Sequence, residues 1–92
     1  MKPFDWNRQK SLILRSSRGI GFEEVVIAIN EGYLLAIIEH PNSHKYPNQK
    51  IYIINFDDYA YSIPFTESKE TYFLKTIYPS RKYTKKFLRG NV

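Results

Sequence analysis

Ninety-two residues with 42% hydrophobic side chains, 16% aromatics and no cysteine specify one folded domain, and exclude a disordered chain, a disulfide framework and a thiolate metal site. The net charge of +5 is uneven: residues 1–18 carry five Lys/Arg and one acid, residues 19–80 four Lys and eight acids, and residues 81–92 five Lys/Arg and no acid. Two basic ends that meet in the fold make one surface suited to nucleic acid; two that do not are solvated faces.

The opening Met1-Lys2-Pro3-Phe4-Asp5-Trp6 lacks the apolar segment of a signal peptide, and no apolar run reaches bilayer length, so cytoplasm is the expected compartment and no membrane partner is expected. Asn7 is a good N-cap for a helix over Arg8 to Ser17, with Leu12, Ile13 and Leu14 as its apolar content and Gly19 ending it. Phe22, Val25, Val26 and Ile29 recur at helical spacing and define the buried face of a second helix. Glu23 and Glu24 suit the dipole of its first turn, Gly21 is a weaker N-cap than Ser, and Gly32 closes it.

Leu34 to Glu39 reads as a strand with His40 at its end, followed by a turn-rich loop from Pro41 to Asn48. Gln49 to Phe56 and Tyr59 to Phe65 are β-branched and aromatic runs around Asp57-Asp58, which predicts a hairpin with an acidic tip. Tyr59, Tyr61, Ile63 and Phe65 give its second strand a bulky face; Ala60, Ser62 and Pro64 give a small one that a helix can approach. Pro64 marks an edge or a bulge. A strand over 71–78 follows. Pro79 ends it and Ser80 caps a last helix in which Arg81, Lys82, Lys85, Lys86 and Arg89 cover an arc of roughly 140°, opposite Tyr83 and Phe87. The expected fold is α+β: two N-terminal helices on an antiparallel sheet of three to four strands, with a short basic helix at the C-terminus of a single domain, 1–92.

Arg81 and Lys82 fall in the first turn of that helix, where the dipole disfavours cations, and this placement points to an anionic ligand. His40 and His44 are separated by Pro41 and show no zinc spacing, and there is neither a glycine-rich phosphate loop nor a nucleophile elbow, so no cofactor is expected. The remaining set suits metal-free RNA cleavage. His40 would carry the proton, Lys50 and Lys75 would bind the phosphate, and Arg81 would stabilise the phosphorane formed by 2′-OH attack. Lys82, Lys85, Lys86 and Arg89 would hold the RNA. Against this stand plainer readings: Lys75 alternating out to solvent, His40 as a loop residue, and the basic run as a solvated face.

Three segments carry a family resemblance: Phe4-Asp5-Trp6-Asn7 with Lys10; Arg18-Gly19-Ile20-Gly21-Phe22-Glu23-Glu24; and Lys75-Thr76-Ile77-Tyr78-Pro79-Ser80-Arg81-Lys82 with Thr84. Together they resemble the BrnT family of ribonuclease toxins over nearly the whole chain. The resemblance implies a fold related to RelE-type toxins, metal-independent endoribonuclease activity that inhibits translation, and a cognate antitoxin. Such antitoxins are commonly ribbon-helix-helix proteins, through which the pair contacts operator DNA. The chain departs from the pattern at Gly21, where Ser is usual, at Lys75, where Arg is common, and at Pro79-Ser80 in place of Ser-Ala. It also lacks the Glu-Arg pair of the last helix. The alternative reading is a module that binds nucleic acid or docks an antitoxin without cleaving.

Overall fold

The computed structural model describes residues 2–90. In chain order the elements are β1 (Phe4–Trp6), α1 (Arg8–Arg18), α2 (Phe22–Asn30), β2 (Leu34–Glu39), β3 (Gln49–Phe56), β4 (Tyr59–Glu67), β5 (Tyr72–Leu74), β6 (Tyr78–Pro79) and α3 (Arg81–Leu88). This is an α+β fold. The sheet runs β1-β5-β4-β3-β2, with β6 also on β4.

Local chemistry sets the helix ends. Asn7 Oδ1 accepts the Lys10 N–H at 2.9 Å, and Gly19 turns left-handed at φ 77° while its N–H returns to Arg15 O. Ser80 Oγ accepts the Tyr83 N–H at 3.1 Å and starts α3. The helix face over Phe22 and Val25 is buried with Leu14 and Ile20 against Tyr52, Ile54, Ile63, Phe65, Leu74 and Ile77, and each large side chain there contributes roughly 1.5–3 kcal/mol. Leu12 and Ile13 do not join them: they stand 63% and 60% exposed, while Ser11, beside them, is buried. Tyr52 stacks on Phe65 with centroids 3.9 Å apart, and burial pushes its phenol up to about 12.

Two features depart from the sequence expectation. Phe4, Asp5 and Trp6 form a short strand that pairs in parallel with Tyr72, Phe73 and Leu74, so the sheet is mixed and longer than three or four strands. The strand expected over 71–78 is broken. Leu74 pairs with Phe65 and Tyr78 with Ser62, so four steps along this segment match three along β4 and one residue is extra. Pro64 is the cause. Its carbonyl accepts the Lys75 N–H at 2.9 Å on the side facing this segment, but it has no N–H to return, so the ladder cannot continue past it. The chain bulges over Lys75 to Ile77, burying Ile77, and rejoins β4 as β6.

On β4, α3 packs where the small residues run. Thr84 Oγ1 accepts the Ala60 N–H at 2.8 Å and Ala60 O accepts the Ser80 N–H at 2.9 Å, so the start of α3 is fastened to the start of β4. Among the described residues no helix is long and apolar enough to cross a membrane.

Candidate nucleic-acid interface

One cation of the N-terminal basic segment comes close to the C-terminal one. Arg18, the last residue of α1, lies with its guanidinium 5.7 Å from the ring centre of Tyr78, and Tyr78 shortly precedes α3. Tyr78 is 48% exposed. Arg81 and Lys82 follow in the first turn of α3, which holds no acid, and both are exposed. The result is an exposed aromatic ring with Arg18 against it, followed three residues later by Arg81 at a helix start, a combination that suits a stacked base next to its phosphate.

Further along α3 the cations divide. Lys85 is exposed; Lys82 lies 5.3 Å from the Tyr83 ring and Lys86 5.5 Å from that of Phe87, two rings that themselves stack at 5.9 Å. These lysines continue the basic surface. Arg89 is turned away: its guanidinium donates to Asp58 Oδ2 at 3.4 Å and to Asp58 O at 3.2 Å, and so ties the end of α3 to the β3–β4 turn. Of the four cations expected to hold RNA on this helix, Arg89 is the one with an acidic partner among the described residues.

The four residues expected to share a catalytic site are not brought together. His40 follows β2, donates its N–H to Gln49 O, accepts the Asn42 N–H on Nδ1 at 3.0 Å and packs on Tyr46 at 4.7 Å. Lys50 pairs across from Glu39, one position back, so strand alternation directs His40 and Lys50 to opposite faces. Lys50 instead lines a polar depression of about 390 Å³ with Lys2, Asn48 and Lys69. There Glu67 is held below the ordinary carboxylate range, first by the 2.6 Å hydrogen bond from Lys2 and then by the charges of Lys2 and Lys50. Lys75 sits exposed in the bulge opposite Pro64.

Along β4, Arg81 belongs beside Ala60, Lys75 beside Pro64, and Lys50 across from Phe65. At about 3.3 Å per residue, Lys75 is about 13 Å and Lys50 about 17 Å from the Arg81 end, and His40 lies two strands further across. One phosphate cannot touch all four. Arg81 and Lys75 can serve neighbouring phosphates, whereas His40 and Lys50 belong to the far end of the sheet.

The reading from the sequence missed Arg18 and Tyr78. They are far apart along the chain, and only the pairing of β6 on β4 beside α1 brings them together. Among the described residues no group of three His, Asp or Glu side chains converges to hold a metal ion. Comparison with protein-family models finds no match, and neither curated proteins nor solved structures match the chain.

Proposed function

We propose that the chain is a toxin-like, RNA-directed protein that engages RNA across Arg18, Tyr78, Arg81 and Lys82, with Lys75, Lys85 and Lys86 holding flanking phosphates. The observation that carries this reading is the contact of Arg18 with the exposed Tyr78, three residues before Arg81 and the basic helix. Two helices packed on a largely antiparallel sheet also accord with the resemblance to the BrnT family. In the catalytic form of the proposal, the ribose 2′-OH attacks the neighbouring phosphorus, Arg81 stabilises the charge on the phosphorane, and the 5′-oxygen leaves with a proton. Proton transfer would fall to groups beside Arg81, such as Tyr78 or Lys82, because His40 is remote. A cognate antitoxin, of the ribbon-helix-helix type that the resemblance implies, would hold the activity in check and contact operator DNA.

That same remoteness of His40 favours a second reading, in which RNA is held and not cut. One experiment separates the two: end-labelled RNA is incubated with the protein in EDTA, and Arg81→Ala is tested alongside. Cleavage that falls by about a hundredfold or more in the folded variant supports the nuclease. Intact RNA that is bound by wild type, released as salt rises and bound more weakly by Arg81→Ala supports the non-catalytic module. Absence of any RNA binding at low salt defeats both.

A further inference from the structure

Away from the basic surface, the chain carries two exposed apolar patches of opposite charge. Between the last turns of α2 and the β3–β4 turn lies a cleft of about 370 Å³ with Ile27, Ala28, Tyr33 and Phe56 among its walls. Ile27 and Tyr33 are more than half and about half exposed, respectively. The rim is acidic. Glu24 is taken by Arg15 and Asp58 by Arg89, but Glu31 and Asp57 have no ion-pair partner among the described residues. Asn55 also lines the cleft, and its buried Oδ1 has no hydrogen-bond partner there. No Lys or Arg occurs between residues 19 and 44, the segment that supplies Glu24, Ile27, Ala28, Glu31 and Tyr33 to the cleft.

The second patch is on α1. Leu12 and Ile13 are the two most exposed large apolar side chains of the described residues. Arg8 lies one turn before Leu12 and Lys10 one turn before Ile13, and both cations are exposed. Arg8 rests on the Trp6 ring at 4.4 Å, with a long 3.7 Å contact to Asp5, while Lys10 has no ion-pair partner among the described residues. Apolar side chains with neighbouring cations therefore stand on one surface, and an apolar cleft with unpaired carboxylates stands on another.

We propose that two copies of this chain associate by docking α1 of each into the cleft of the other, Leu12 and Ile13 against Ile27 and Tyr33, with Lys10 meeting Glu31 or Asp57. Contact between two unlike patches is of the head-to-tail kind, and a two-fold axis that makes it in both directions at once closes the assembly at a pair. It removes the two most exposed of the large apolar side chains from water and pairs charges that are otherwise unmatched. The Arg18–Tyr78–Arg81 surface takes no part in this contact, so RNA binding and self-association fail independently.

Sedimentation equilibrium of the full chain, from about 10 μM to about 1 mM, tests the contact. The expected result is a monomer–dimer equilibrium that weakens by about tenfold or more in Leu12→Ser/Ile13→Ser, in Lys10→Glu and in Glu31→Lys, with restored association when the last two variants are mixed. RNA binding by Leu12→Ser/Ile13→Ser, measured in parallel, is expected to match wild type and reports that the variant is folded. Three results overturn the proposal: a monomer throughout the range, a dimer that these substitutions leave unchanged, or a mixture of the two charge reversals that does not recover. Saturable amide shifts at Ile27 and Tyr33 when arginine ethyl ester is added to a chain that stays monomeric also overturn it, and assign the cleft to a small cation.

Discussion

Gly21 shows how much one missing methyl group can decide. A Cβ at this position would lie 2.8 Å from Ser11 Oγ, 2.9 Å from Arg15 Nη2 and 3.1 Å from Glu23 Oε1. Those atoms form the joint between α1 and α2. Ser11 Oγ accepts the Phe22 N–H at 2.8 Å and donates to Glu23 Oε1 at 2.6 Å; Arg15 bridges Glu23 at 2.6 Å and Glu24 at 3.2 Å; Glu24 accepts the Gly21 N–H at 2.8 Å. Ser11 thus satisfies one of the free N–H groups at the start of α2 from the neighbouring helix, which is why a serine is buried in α1 where an apolar residue would be expected. From the sequence, Gly21 reads only as a weak cap in a place where Ser is usual. The compensating hydroxyl, on the preceding helix, has no local signature. Gly21→Ser is expected to destabilise the chain by about 1–3 kcal/mol in urea denaturation through overpacking, and Ser11→Ala in the same chain is expected to recover part of that loss. A Gly21→Ser variant as stable as wild type would show that the joint has room to spare.

At the scale of elements, the hairpin was the most readable and the strand after it the least. The runs flanking Asp57-Asp58 fold as expected, with Phe56 opposite Tyr59 and both aspartates left-handed at φ 55° and 61°. That is the geometry of a two-residue turn for which an asparagine followed by a glycine is the favoured pair. Asp tolerates it at a cost of about 1 kcal/mol per residue. The double substitution Asp57→Asn/Asp58→Gly is therefore expected to raise the melting temperature by about 4–8 °C, less whatever the lost Arg89 contact supplied. Calorimetry checks this; an unchanged or lower melting temperature would mean that the Asp58–Arg89 clamp outweighs the relief of strain. The segment 71–78 looked continuous because its composition is continuous. What breaks it is Pro64, on a different strand, and the pairing that brings Pro64 opposite Lys75 is a property of the sheet. The parallel β1 was hidden for a related reason: three residues are too few to show a period, and their partner lies far along the chain.

For the molecule as a whole, three ionisable groups make stability depend on pH, two on the acid side and one on the alkaline side. Glu23 is held below the ordinary carboxylate range, first by the Ser11 hydroxyl and then by Arg15, and Glu67 in the same direction, first by Lys2. Between their folded and unfolded pKa values the unfolded chain binds more protons, so stability rises with pH there. Their contribution is complete above about pH 4.5 and is lost as pH falls through the depressed values. Tyr52 acts at the alkaline edge: burial favours its neutral phenol, so that contribution is complete below about pH 10 and is lost as pH rises toward about 12. Glu23→Gln is expected to lose less melting temperature than wild type between about pH 5 and about pH 3, relative to its own value at neutral pH. Parallel profiles would remove Glu23 from the acid limb. The uneven charge was legible at this scale from the start, since both ends are basic in the sequence; that Arg18 alone of the first group comes to lie against Tyr78 depended on β6 and could not be counted out of composition.

The pairing of Phe4 with Tyr72 and the position of Tyr78 beside Arg18 also impose an order in time. α1, α2 and the β2–β3–β4 meander precede β5, β6 and α3 in the chain and leave the ribosome before them. β1 must wait for β5, and Arg18 must wait for Tyr78, so these contacts are made last, across the longest loop closures in the fold. A nascent or truncated chain that stops before β5 therefore presents Arg18 without its aromatic partner and without Arg81.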